Sequence, residues 1–229
     1  MIIVSEDEDD SDSNPFLFLR QPVHDSILNI NHDYRYLRMG YYVSAHAETF
    51  GVDVTPSCAE IMDAYRNPLL IEKARRNGML TGDYRLLVSP QGELRLPVLL
   101  FAVNPFTNNS MKVVNSGEKL PGMIKKMSYD ARFPVSLHPL TGEVLEIIQI
   151  FGESTNEETS EFTKKFFEIF NIPICKLVVQ IDDDGIILNH CEPAMKKEVD
   201  WDIVHDKVHE IKKKRYENSL LCRGIQFQG

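Results

Sequence analysis

This 229-residue sequence predicts an α+β fold, and three observations carry that reading. Tyr36, Gly40, Val43, Ala47 and Phe50 recur at helical spacing, and a short extended run, Val52-Asp53-Val54, follows Gly51. Ile174–Ile181 and Ile186–Cys191 are β-prone and flank Asp183-Asp184-Gly185, a hairpin turn signal. Between these regions, residues 79–142 lose helical period and fill with Gly, Pro and Asn, which predicts a β-rich insertion. The expected organisation is an N-terminal α/β part (1–78) built as a Rossmann-like half, strand–helix–strand–helix. The insertion (79–142) follows, and a strand–helix–hairpin–helix segment (143–229) completes the same domain.

The chain opens with a strand at Met1–Ser5, followed by an acidic loop to Pro15. Phe16–Leu19 and Leu28–Asn31 read as short extended segments. A helix fits Tyr34 to Phe50, where Gly51 supplies the left-handed residue that ends it. Ser57-Cys58-Ala59-Glu60 has the form of a capping box, so the next helix starts at Ser57. It runs to about Arg66, and Asn67-Pro68 opens another helix that Gly78 ends. Leu86–Val88 and Leu94–Ala102 read as strands joined by a turn at Ser89-Pro90-Gln91-Gly92. Glu143–Phe151 is a strand, and Thr155-Asn156-Glu157-Glu158 reads as a second capping box. The helix after it carries Phe162, Phe166, Ile169 and Phe170 on one face and stops at Asn171-Ile172-Pro173. A final amphipathic helix uses Trp201, Val204, Val208 and Ile211.

Composition sets limits on function. Apolar residues make up 43% and charged residues 26%, values of a globular domain and not of a collagen-like, disulfide-stapled or disordered chain. A chain of this length buries roughly 70% of its unfolded surface without a staple. The net charge is −9, and Glu6, Asp7, Glu8, Asp9, Asp10 and Asp12 supply six of the negative charges. Clustered like charges repel, so these acids are expected to stay solvated and to be dispensable for folding. The densest basic run, Lys212-Lys213-Lys214-Arg215, falls at the end of a predicted helix, where cations complement the helix dipole. Nucleic-acid binding is therefore not expected. Four cysteines without a C-x-x-C pair suit a reduced compartment. With no signal peptide and no membrane-length apolar run, a soluble cytoplasmic protein is expected.

The common phosphate loops, dinucleotide fingerprints, hydrolase elbows and zinc helices are missing from the sequence. Asp182-Asp183-Asp184-Gly185 lacks the ligand spacing of a calcium loop and reads as a turn. His205 and His209 lie one helical turn apart, but no third ligand accompanies them, so no metal is assigned. No cofactor and no catalytic residue is assigned either.

The stretch from Asn29 to Glu48 is the informative one. Tyr34, Arg35 and Arg38 sit where a strand passes into a helix, and free N–H groups there favour an anion. Ser57 stands at the next helix start. If the two strands are parallel, both helix starts lie at the carboxyl edge of the sheet, where open α/β sheets bind ligands. Glu48 is fourteen residues beyond Tyr34, about 20 Å along a helix, so it is expected at the other end. Tyr41, Ser44 and Glu48 share a helical stripe and are expected to be structural or to form a partner interface.

Asn29, Tyr34-Arg35-Tyr36, Gly40-Tyr41-Tyr42-Val43-Ser44, Ala47-Glu48, Gly51 and Pro56-Ser57 resemble the signature of the RimK-like ATP-grasp N-terminal domain family. Residues 147–193 are similar to that family's closing strand–helix–hairpin. The resemblance covers about 1–78 and 144–215. It implies a module that serves ATP-dependent amide or peptide-bond formation and normally precedes an ATP-grasp ligase; here the ligase is expected on a separate chain. It adds Asn29 to Tyr34, Arg35, Arg38 and Ser57 as expected substrate-binding residues. The expected role is a non-catalytic accessory to a separate ATP-grasp ligase chain, presenting a small carboxylate or a peptide. The alternative is an independent enzyme or small-anion-binding protein that uses the Tyr34/Arg35/Ser57 edge. One departure stands out: where many members have Gly-Arg, this chain has Gly152-Glu153, which inverts a charge.

Overall fold

The computed structural model describes residues 1–6, 11–89, 94–104 and 111–222, with side chains as far as Lys214. The first third is β1 (Ile2–Ser5), α1 (Pro15–Phe18), β2 (Ile27–Ile30), α2 (Met39–Thr49), β3 (Val54–Thr55), α3 (Cys58–Tyr65) and α4 (Asn67–Arg76). The strands form a parallel sheet in the order β1-β2-β3, the Rossmann-like half that the sequence predicts. Two boundaries differ from expectation. Phe16–Leu19 is not extended, because Asn14 caps the amide of Phe16 and Pro15 opens a short helix. Helix α2 begins at Met39 and not at Tyr34, because Leu37 takes a left-handed backbone (φ 64°) that an α-helix cannot pass through.

The middle third is β4 (Arg85–Leu87), β5 (Val98–Ala102), β6 (Met111–Val114), α5 (Leu120–Met127) and β7 (Val135–Pro139). They make an antiparallel sheet in the order β4-β7-β5-β6, with α5 packed on one face. The expected β4–β5 hairpin is not formed, since β7 pairs with both strands and separates them. Most of the expected turn at 89–92 lies outside the described residues. The last third is β8 (Glu143–Ile150), β9 (Glu153–Ser154), α6 (Ser160–Phe170), β10 (Ile174–Asp182), β11 (Gly185–Glu192) and α7 (Trp201–Cys222). Its antiparallel sheet runs β11-β10-β8-β9, with the β10–β11 hairpin where the Asp-Asp-Gly turn predicts it. The cap before α6 is Asn156, which accepts from Glu158 N across a short 3-10 turn; Thr155 has no part in it.

The largest core joins the first and last thirds, with Tyr34, Ile61 and Leu70 against Phe166, Phe170, Leu177 and Leu188. Helix α7 covers a second core of Ile3, Ile30, Ile150 and Ile174, using Val204 and Val208. The acidic loop is not wholly idle. Asp12 accepts from Ile3 N at 2.9 Å, and Glu6 pairs with His32 at 3.3 Å, so both of the described acids of the six hold backbone or side-chain partners.

A buried polar network ties β2 to α2. Asn29 Nδ2 donates to Gly40 O (2.7 Å) and to Ser44 Oγ (2.8 Å), while Asn29 Oδ1 accepts from Asn31 Nδ2 (2.5 Å). Ser44 Oγ in turn donates to Pro56 O (2.6 Å), and Tyr34 Oη links Asn31 N to Asn29 O. Gly40 must be glycine for this approach, because a Cβ there would stand 2.8 Å from Asp33 O and 2.9 Å from Tyr34 Cδ1. We expect Gly40→Ala to cost about 1–3 kcal/mol by overpacking. A thermal melt checks this, and an unchanged Tm would mean that the helix can shift freely away from β2.

Candidate functional site

A cavity of about 280 Å³ opens where the three parts of the chain meet. Arg35 and Tyr36 come from the β2–α2 loop, Tyr65 from α3, Lys176 from β10, and His190 and Glu192 from β11; Ala102 and Asn104 enter from the end of β5. Ile61 and Met62 supply an apolar wall.

The charges lining this space are held in place. Arg35 grips Asp33 with two bonds, Nε to Oδ1 at 2.9 Å and Nη2 to Oδ2 at 2.7 Å, which keeps the guanidinium charged against its burial. Lys176 is only 11% exposed. Burial works against its charge, but Glu146 at 3.0 Å and Glu192 at 3.7 Å outweigh it and raise its pKa. His190 is buried and its pKa falls to about 3 through desolvation. His138 on β7 behaves alike, lowered to about 3 by burial and then by the neighbouring His190. The two imidazoles pack on Phe101, with ring centroids 4.7 Å and 5.0 Å away. Asn67, at the start of α4, contacts both, with Oδ1 3.0 Å from His138 Nε2 and Nδ2 3.3 Å from His190 Nδ1. This contact fastens the middle sheet to the body. Among the described residues, no group of three His, Cys, Asp or Glu side chains is placed to hold a metal ion.

Of the residues expected to bind substrate, Arg35 faces this cavity. Asn29 and Tyr34 are fully buried behind it, in the network that shapes the loop. Arg38 is half-exposed and 3.9 Å from Asp33. Ser57 closes the capping box of α3, accepting from Glu60 N while its own amide donates to Glu60 Oε2. Glu48 is not remote from Ser57, because its Oε1 accepts from Cys58 N at 2.8 Å. The expectation of two helix starts at one edge fails for a geometric reason. Strand β3 is two residues long and pairs with Ile27 and Leu28 at the beginning of β2, so α3 starts beside the end of α2. Ser44 is buried, Tyr41 is half-buried and packs edge-on to Tyr36 at 5.0 Å, and Glu48 is exposed, so the stripe runs from the core to the surface.

Sequence reading missed Lys176, His190, Glu192, Asn104 and Tyr65. A signal existed, because Lys176 interrupts an apolar strand that is buried at nearly every position. Charge at such a position demands a partner or a purpose. The inverted charge at Glu153 also has a partner, pairing with Lys207 of α7 at 2.5 Å.

The chain belongs to the RimK-like ATP-grasp N-terminal domain family, whose model matches residues 18–203. No functionally curated protein matches it. Among solved structures it is similar to a RimK domain ATP-grasp protein from Sphaerobacter thermophilus (TM-score 0.56, 12% identity, 75% of this chain and 74% of that one). It is similar also to the D-alanine-D-alanine ligase of Coxiella burnetii (0.55, 12%, 89% and 74%) and to that of Helicobacter pylori (0.51, 15%, 73% and 62%). At these identities the likeness shows the fold alone. Among the described residues, no helix is long and apolar enough to cross a membrane.

The buried imidazoles make stability depend on pH. Each takes up its proton near pH 6.5 in the unfolded chain but only near pH 3 in the fold. Folding therefore keeps its full stability above pH 6.5 and loses about 1.4 kcal/mol per pH unit for each ring as pH falls below it. His32, shifted up by its hydrogen bond to Glu6, works the other way, but it is one partly exposed group against two buried ones. We expect Tm to be flat from pH 8 to 7 and to fall steeply between 6.5 and 5, above the carboxylate range. A flat melt down to pH 5 would mean that the rings ionise freely in the fold.

Proposed function

We propose that this chain is a non-catalytic, substrate-presenting module of an ATP-dependent amide or peptide ligase system of the ATP-grasp type, acting with a separate ligase chain. Its cavity holds the carboxylate of a small molecule or peptide. The observation that carries the reading is Arg35: a charged guanidinium, fixed by Asp33, at the wall of a cavity with an apolar side. A planar, preorientated guanidinium suits carboxylate recognition, and a carboxylate is the group that an amide ligase must receive. Asn29, Tyr34 and Ser44 serve this site by shaping the loop that carries Arg35. Arg38 and Ser57 stay outside the cavity wall, and Tyr41 and Glu48 belong to the α2–α3 contact.

A second reading is that the chain is an enzyme in its own right. Its cavity, lined by Arg35, Lys176, His190 and Glu192, offers such an enzyme a place for a small anionic substrate. Two measurements separate the readings. Calorimetry with Mg-ATP is expected to give no binding to this chain, and micromolar affinity would promote the enzyme. Affinity purification from the native cell is expected to bring down an ATP-grasp protein. In a thermal-shift assay with acetate and a short free-acid peptide as probes, Arg35→Ala should abolish the ligand-induced shift while Glu48→Gln keeps it. The opposite pattern would displace the site from the cavity.

A further inference from the structure

We infer that His190 is a ligand-binding residue of this cavity, presenting a neutral Nε2–H donor to a carboxylate or carbonyl oxygen, and that Asn67 is the positioning residue that fixes its tautomer. The inference rests on the reading of the cavity as a carboxylate site. The proton positions follow from the hydrogen bonds. Asn67 Nδ2 donates to Asn189 O at 2.5 Å, and a carbonyl can only accept, so the orientation of the Asn67 amide is set. Its second Nδ2 hydrogen then points at His190 Nδ1, 3.3 Å away, and that nitrogen must carry a lone pair. A neutral imidazole with a bare Nδ1 has its proton on Nε2. On the other side, Asn67 Oδ1 accepts from His138 Nε2 at 3.0 Å, so one amide dictates both tautomers.

Among the described residues, no hydrogen bond closes on His190 Nε2, and the ring lines the cavity. That N–H faces the cavity, and an oxygen of a bound ligand would give it the acceptor that the protein does not. The ring cannot answer by ionising. A second proton would sit on Nδ1, facing the Asn67 amide hydrogens, in a buried setting where desolvation already holds the ring neutral. The titratable groups around the ring are His138 across Phe101, Cys191 next in the strand, and Arg35, Tyr36, Tyr65, Arg66, Lys176 and Glu192 elsewhere on the cavity wall. Lys176 and Glu192 pair with each other. Arg35 thus supplies charge and His190 a directional neutral donor, which together would select a planar oxygen group over a spherical anion.

The test uses the full chain labelled with ¹⁵N in its histidines and arginines, and acetate as the probe. Imidazole ¹⁵N–¹H correlation spectra should show His190 as the Nε2–H tautomer, unchanged from pH 8 to 5, with its Nε2 signal moving as acetate is added. His190→Phe should weaken acetate binding about tenfold, and His190→Gln, which keeps a donor, should recover part of the loss. An Nδ1–H tautomer would overturn the inference. So would acetate binding that perturbs the Arg35 Nε signal but leaves His190 unmoved, and in that case the carboxylate site itself would stand. If acetate perturbs neither residue, both readings fall together.

Discussion

The carboxamide of Asn29 is fully used, with both hydrogens and its oxygen engaged inside the protein. Everything at the candidate site depends on that arrangement. It draws Gly40 and Ser44 of α2 down onto β2, and Ser44 carries the link on to Pro56 ahead of α3. The chain between β2 and α2 is then forced into a short loop. Tyr34 folds back into the core, its hydroxyl bridging Asn29 and Asn31, and Asp33 and Arg35 are left at the cavity. The signature segment is thus chiefly a device for building a loop. Most of its residues are buried scaffold, and Arg35 is what the scaffold exposes.

The rest of the cavity follows a consistent electrostatic logic. Two charged clusters near it are paired, Asp33 with Arg35 and Glu146 and Glu192 with Lys176, so their desolvation is offset. The imidazoles, by contrast, are kept neutral by burial and joined through Asn67. A pocket of fixed, paired ions and neutral donors changes little in charge when a ligand enters. That suits holding a substrate in one orientation more than moving protons to and from it.

Local signals in the sequence were legible. The helical stripe of α2, the Ser57–Glu60 capping box and the Asp183-Asp184-Gly185 turn each depend on residues a few positions apart, and each formed where expected, although α2 begins five residues late. Phe16–Leu19 misled because apolar residues alone do not choose between strand and helix, and the decision lay with Asn14 and Pro15. The placing of β7 between β4 and β5 is a non-local choice that no turn sequence encodes. The cavity was legible only at Arg35. Its other polar residues come from β5, α3, β10 and β11, and their meeting depends on three sheets packing together. Glu48 shows the same limit in reverse, because helix length said nothing of where α3 would begin.

The central claim is that the Asn29 network, and not the cavity side chains, holds the 31–38 loop in place. Amide hydrogen exchange on Asn29→Ala tests this most directly. The account predicts that the amide of Asn31, bonded to Tyr34 Oη in the native fold, loses its protection together with those of Arg35 and Arg38, while the β10–β11 hairpin exchanges as before. Unchanged protection across 31–38, or an equal loss throughout the molecule, would contradict it.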